Sequence, residues 1–100
     1  MPEAPAAPVS VLLISGSGRS GSTNTAVLRT AAALAPDGVR CELYDGIGDL
    51  PLFNPDDDGE GVAVDPRVGA MRAAVAAADA LLICTPEYAG ALPAALKNLL

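Results

Sequence analysis

Two short stretches of this sequence gather residue types that can hold an anion and a flat ring. In the first, Gly16-Ser17-Gly18-Arg19-Ser20-Gly21 is followed at once by Ser22, Thr23 and Asn24. Hydroxyls, an amide and a guanidinium converging on a helix start suit a terminal phosphate, whose outer oxygens are all acceptors. The glycines also fit GxGxxG, and Asp45 follows the next strand, so the stretch matches a dinucleotide-binding fingerprint as well. In that fingerprint the backbone approaches a bridging pyrophosphate and the side chains do little, whereas here the side chains are the polar part. The loop lacks the Gly-Lys-Ser/Thr ending of a triphosphatase loop and the cysteine of a phosphatase nucleophile. A plain Gly/Ser turn with an N-cap serine and a solvated arginine stays open for this loop taken alone. In the second stretch, Pro86-Glu87-Tyr88-Ala89-Gly90, a Tyr and a Gly offer a planar apolar surface and open backbone amides. A flat heterocycle could lie there with its polar edge on the amides. Taken alone, this loop reads better as a plain Pro/Gly turn whose Tyr packs on the scaffold.

Other chemistries find no ligands. The chain has no histidine, and its two cysteines, Cys41 and Cys84, lie far apart. Neither a Cys/His zinc site nor a histidine-based triad can be assembled. Each cysteine sits in an apolar run and reads as a small buried side chain. Asp56-Asp57-Asp58 reads as a solvated turn. Six basic residues stand against twelve acidic ones, which argues against nucleic-acid or anionic-membrane surfaces. A cofactor phosphate needs only a local positive site, so net acidity leaves it possible. Residues 1–8 form an Ala/Pro tail, expected to be disordered, with neither the basic start nor the apolar stretch of a secretory signal. No window approaches the ~20 apolar residues of a membrane span. The expected compartment is the cytoplasm, where unpaired thiols are ordinary.

The elements that must position the two loops follow from periodicity. Val9–Ser15 is a nearly continuous apolar run, the mark of a strand covered on both faces, as in parallel sheets. Residues 22–34 place Ala26, Val27, Ala31 and Leu34 at helical spacing, and Pro36-Asp37-Gly38 stops that helix. Val39–Tyr44 alternates Val39, Cys41 and Leu43 against Arg40, Glu42 and Tyr44, a strand with one better-covered face. Residues 45–64 are irregular and rich in Gly, Pro and Asp. Asp65-Pro66 starts a second helix, carboxylate at the N-cap and proline at the first position. Its apolar stripe is Val68, Met71, Ala74, Val75 and Ala78. Ala80–Cys84 is a second fully apolar strand, 85–90 a loop, and 92–100 the start of a third helix. Strands separated by helical crossovers require a parallel α/β sheet with right-handed connections. The core is expected to be thin, because the 51% apolar content contains only three aromatics and is largely Ala, Val and Leu.

Both loops belong at the carboxyl end of such a sheet, and together they carry a family likeness. Gly16-Ser17-x-Arg19-x-x-Ser22-x-Asn24 resembles the phosphate loop of the NADPH-dependent FMN reductases, which include flavin, quinone, azo-dye and chromate reductases. Pro86-Glu87-Tyr88-x-Gly90-x-x-Pro93-x-x-Leu96-Lys97-Asn98 is similar to that family's flavin-ring loop and following helix. Leu50-Pro51-Leu52-Phe53-Asn54 is similar to its segment after the second strand. The resemblance runs over residues 9–100 and is specific to the family, not to a substrate.

The resemblance implies a flavodoxin-like, three-layer α/β/α fold with a parallel sheet in strand order 2-1-3. It implies FMN as cofactor and NADH or NADPH as co-substrate. Ser17, Arg19, Ser22, Thr23 and Asn24 would hold the FMN phosphate. Pro86, Glu87, Tyr88, Ala89 and Gly90 would border the isoalloxazine, largely through backbone amides, with Ala89 standing where many members carry Asn. Hydride would pass from nicotinamide to flavin and then to a flavin, quinone, azo compound or metal oxyanion. A homodimer or tetramer is also implied. Family members are nearly twice as long, so residues 9–100 are expected to be the N-terminal part of the domain, ending in its third helix and inactive alone. The competing readings are a flavodoxin-type electron carrier without a nicotinamide site and, further off, an NAD-binding Rossmann domain.

Overall fold

The computed structural model describes residues 8–17, 22–52, 54 and 61–100. The expected disorder of residues 1–7 and the solvated turn at Asp56-Asp57-Asp58 lie outside them. Three parallel strands, β1 (Val9–Ser15), β2 (Val39–Tyr44) and β3 (Ala80–Cys84), form a sheet in the order β2-β1-β3. Among the described residues, three helices, α1 (Thr23–Ala33), α2 (Pro66–Ala77) and α3 (Ala94–Leu99), and a 3₁₀ turn at Ile47–Asp49 accompany the sheet. The expected fold class and strand order are those observed.

The apolar run of β1 takes the centre because only the central strand needs both faces covered. Leu12 and Ile14 pack with Ile47, Leu96 and Leu99, and with Met71, Ala74, Val75 and Ala78 around them. One face of the sheet therefore carries α2, α3 and the 3₁₀ turn. Alternation along the strand sends Leu13 to the other face, where α1 lies with its one buried residue, Leu28. The buried apolar side chains among the described residues are all Leu or Ile, the thin aliphatic core that the composition anticipates.

Local chemistry sets the element ends. The Ser22 hydroxyl caps α1 by accepting the Asn24 N–H at 3.2 Å. Gly38, at φ +85°, turns the chain into β2, a backbone region costly for any residue with a Cβ. Asp65 caps α2, with Pro66 in the first turn. Just before β3, Asp79 clasps the start of β1: its N–H donates to the Ser10 carbonyl and its carboxylate accepts the Ser10 N–H, both at 2.8 Å. This double contact fixes the register in which Val11 faces Ala80 and Ser15 faces Cys84.

Two details depart from the sequence reading, the start of the third helix and the burial of the cysteines. The third helix starts at Ala94 rather than 92, because Pro93 is its N-cap and a residue before proline is kept out of helical backbone. Cys41 and Cys84 are half-buried rather than buried, and both are free thiols. β3 is the edge that the 2-1-3 order implies: among the described residues it pairs only with β1, and Leu81 and Leu82 are each 45% exposed.

Candidate cofactor site

Parallel pairing brings the ends of β1 and β3 to the same edge, so the two loops leave the sheet side by side. The Gly16 N–H donates to the Cys84 carbonyl at 2.8 Å. A Cβ on Gly16 would lie 2.6 Å from the Cβ of Thr85 and 3.1 Å from its Cα, closer than atoms of two backbones can approach. The first glycine of the loop is therefore required by contact between the loops. Ser17 follows it, its N–H 3.3 Å from the Oγ of buried Ser15.

The start of α1 collects Ser22, Thr23 and Asn24, as the sequence anticipates, while Gly18, Arg19, Ser20 and Gly21 lie outside the described residues. Ser22 is buried and accepts one bond from its own helix, which leaves its O–H proton able to donate. Thr23 is exposed. Asn24 is half-buried, and its Oδ1 accepts the Cys84 thiol proton at 3.1 Å; its NH₂ is the group it can offer to an anion. Unpaired backbone N–H groups at a helix start add a positive end to these donors.

The second loop is more structured than expected. Tyr88 and Ala91 exchange two backbone hydrogen bonds, each 3.0 Å, with Ala89 at φ 53° and Gly90 at φ 74° between them. Two consecutive residues with positive φ inside such a pair define a type I′ turn. The Tyr88 amide is thus consumed by the turn, and Pro86 has none. The amides of Glu87, Ala89 and Gly90 have no partner among the described residues, and the Tyr88 ring stands half in solvent. Of the loop's backbone, these three amides are what a ring edge could meet.

Sequence reasoning misses a cleft of about 290 Å³ on the β2 side of the first loop, lined by Ser17, Thr25, Arg29, Tyr44, Asp45 and Asp49 among others. Thr25 and Arg29 are one helical turn apart on α1, and Tyr44 ends β2, so position at the carboxyl end of the sheet is the signal that could have found them. Burial raises the Tyr44 phenol above its ordinary value, and the carboxylates of Asp49 and then Asp45 push the same way; the group is a neutral donor near neutral pH. Among the described residues there is no cluster of His, Cys, Asp and Glu able to hold a metal and no helix long and apolar enough to cross a membrane.

The model of the NADPH-dependent FMN reductase family matches residues 9–100. An NAD(P)H-dependent FMN reductase of Pseudomonas aeruginosa is 46% identical over 90 residues, covering 90% of this chain and 47% of that protein. A quinone reductase of Escherichia coli K12 is 35% identical over 88 residues, covering 88% of this chain and 46% of that protein. Among solved structures, FerB of Paracoccus denitrificans, a flavoenzyme NAD(P)H:(acceptor) oxidoreductase, superposes with a TM-score of 0.78 at 30% identity, over 91% of this chain and 48% of its own. The chain spans about half the length of the curated relatives it matches. With both loops at one end of a parallel 2-1-3 sheet and the family model matched from β1 to the last residue, this chain belongs to the NADPH-dependent FMN reductase family.

Proposed function

We propose that the whole protein is an FMN-containing oxidoreductase that takes reducing equivalents from NADH or NADPH and passes them to a small acceptor. Quinones are the favoured acceptor class, since relatives bear that name; a flavin, an azo compound or a metal oxyanion is the wider range. The observation that carries this reading is the tie between the loops, Gly16 against Thr85 and Asn24 against Cys84. It sets a phosphate-type donor group and a ring-type turn at a fixed separation, as a ligand with a phosphate at one end and a flat ring at the other requires.

The residues present fit FMN. Ser17, Arg19, Ser22, Thr23 and Asn24 would hold its phosphate, and Pro86, Glu87, Tyr88, Ala89 and Gly90 would border its ring. Bound FMN supplies the hydride-accepting and electron-releasing chemistry. The chain's own tasks are to anchor the anion, present the Glu87, Ala89 and Gly90 amides, and fix the loop beside one ring face. No histidine or nucleophilic cysteine is needed for these tasks. Residues 9–100 supply the N-terminal part of the domain, and a homo-oligomer completes the proposal.

Two measurements test it. NADH or NADPH consumption by the whole protein with FMN and a quinone is expected; FMN binding without nicotinamide oxidation would leave an electron carrier instead. Arg19→Ala is expected to weaken FMN binding about tenfold or more, the worth of a hydrogen bond to a charged group. Arg40→Ala, an exposed change on β2, should leave it intact. Equal losses from the two would remove Arg19 from the site.

A further inference from the structure

Resting on the phosphate site just proposed, we infer that Cys84 is a positioning residue whose thiol fixes the orientation of the Asn24 carboxamide. A carboxamide has an acceptor end and a donor end. Only the NH₂ end attracts a phosphate; the oxygen end repels it. Asn24 is the second residue of α1, where an unrestrained asparagine could turn its oxygen toward the helix's open N–H groups. Two contacts prevent this. The Ser22 hydroxyl already takes the Asn24 N–H at 3.2 Å. The Cys84 thiol donates to Asn24 Oδ1 at 3.1 Å across 60 residues of sequence. With the oxygen held against the end of β3, the amide protons of the same planar group face away from Cys84.

The thiol's own place is set independently. The Cys84 carbonyl accepts the Gly16 N–H at 2.8 Å, and its Cα is in register with Ser15. Thiol, first loop and helix start are thus referenced to the same strand end. A valine or alanine would continue the apolar run of β3 equally well, but neither can donate. Cysteine brings a weak donor into that run without a strongly solvated group.

FMN and riboflavin titrations of the whole protein, followed by flavin fluorescence, test the inference. Cys84→Val is expected to weaken FMN binding about twofold to tenfold, the range for one modest hydrogen bond. Riboflavin, which has no phosphate, should be unaffected. Cys84→Ser, which keeps a donor, should restore most of the FMN affinity. In an Asn24→Ala background, Cys84→Val should change nothing further, because the group it orients is gone. The inference is overturned if FMN and riboflavin weaken in parallel, if serine and valine behave alike, or if the valine effect persists beside Ala at position 24. Should Cys84→Val fail to fold, Cys84→Ala read against Cys84→Ser decides the same question. Wild-type protein without FMN affinity would overturn the proposed function as well; tight binding indifferent to every Cys84 substitution would overturn this inference alone.

Discussion

Ala89 holds a backbone conformation that side chains with a Cβ avoid. At φ 53°, directly before Gly90 at 74°, it occupies the first central position of a type I′ turn, where asparagine is strongly preferred. Left-handed backbone costs an alanine about 1–2 kcal/mol. Ala89→Asn is expected to raise stability by roughly 0.5–1 kcal/mol, and Ala89→Val, whose branched Cβ fits that region least, to lower it; thermal unfolding of the two variants reads both signs. The turn type was not legible in the sequence, because the Asn-Gly signature that announces it is absent here. Gly90 alone marks a loop but not its geometry. At the other surface, Arg67 donates to Asp65 through its Nε at 3.0 Å, its NH2 at 2.9 Å and its backbone N–H at 2.8 Å. The side-chain bonds first, and the backbone bond second, hold the Asp65 carboxyl down at about 2 from 3.8. A depressed folded-state value means the contribution is complete above the unfolded value and is lost as pH falls through the folded one. Wild-type stability should therefore drop between about pH 4 and pH 2 more steeply than that of Asp65→Asn, which keeps the cap and loses the titration. The pair is exposed, so added salt should shrink the difference.

At the level of elements, most boundaries are written in local chemistry. Asp65-Pro66 and Ser22 are cap signals, and each stands at the helix start it announces. Ser22→Ala is expected to cost about 1 kcal/mol, measured by urea unfolding, because the Asn24 N–H loses its acceptor. What periodicity cannot convey is contact between elements. GxGxxG makes Gly16 look like a phosphate-approach glycine, whereas the structure gives it a steric reason: Thr85 stands against it from a different strand. Likewise Asn24 reads as a ligand-binding amide, and its bond to Cys84 depends on β1 and β3 being neighbours. The cleft residues Thr25, Arg29 and Tyr44 belong to three-dimensional proximity of the same kind. The third helix was misplaced by two residues because Pro93 is an N-cap without a side-chain bond, a weaker signal than a serine or an aspartate.

For the whole molecule, parallel strands and their 2-1-3 order were readable from apolar runs and crossover spacing. The exposure of β3 follows from that order, which sets it beside β1 alone; its composition by itself would look the same at the centre of a sheet. Here Leu81, Leu82 and Ile83 are exposed along a strand free of charge and proline, features that normally discourage edge pairing when present. The 100-residue chain studied alone is expected to associate with rising concentration, and Leu82→Lys to reduce that association at little cost to the fold; sedimentation velocity of the two measures it. Unchanged association would place the contact elsewhere, the apolar groove of about 900 Å³ between α2 and α3 being the next surface to vary.

The clasp between Asp79 and Ser10 also bears on the order in which the molecule assembles. The two residues are 69 apart in sequence, while β1 meets β2 across a single helix, Val9 opposite Val39. Chain closure is entropically cheaper for the shorter excursion, so β1, α1 and β2 can dock first and β1 waits with one side unpaired. On a ribosome this order is enforced, because β3 emerges after β2. Both bonds to Ser10 then form only when β3 arrives. The Ser10 amide, shielded by the Asp79 carboxylate rather than by β2, is therefore a single-site clock for the docking of β3: in pulse-labelling hydrogen exchange during refolding, its protection should lag behind that of the amides β1 shares with β2.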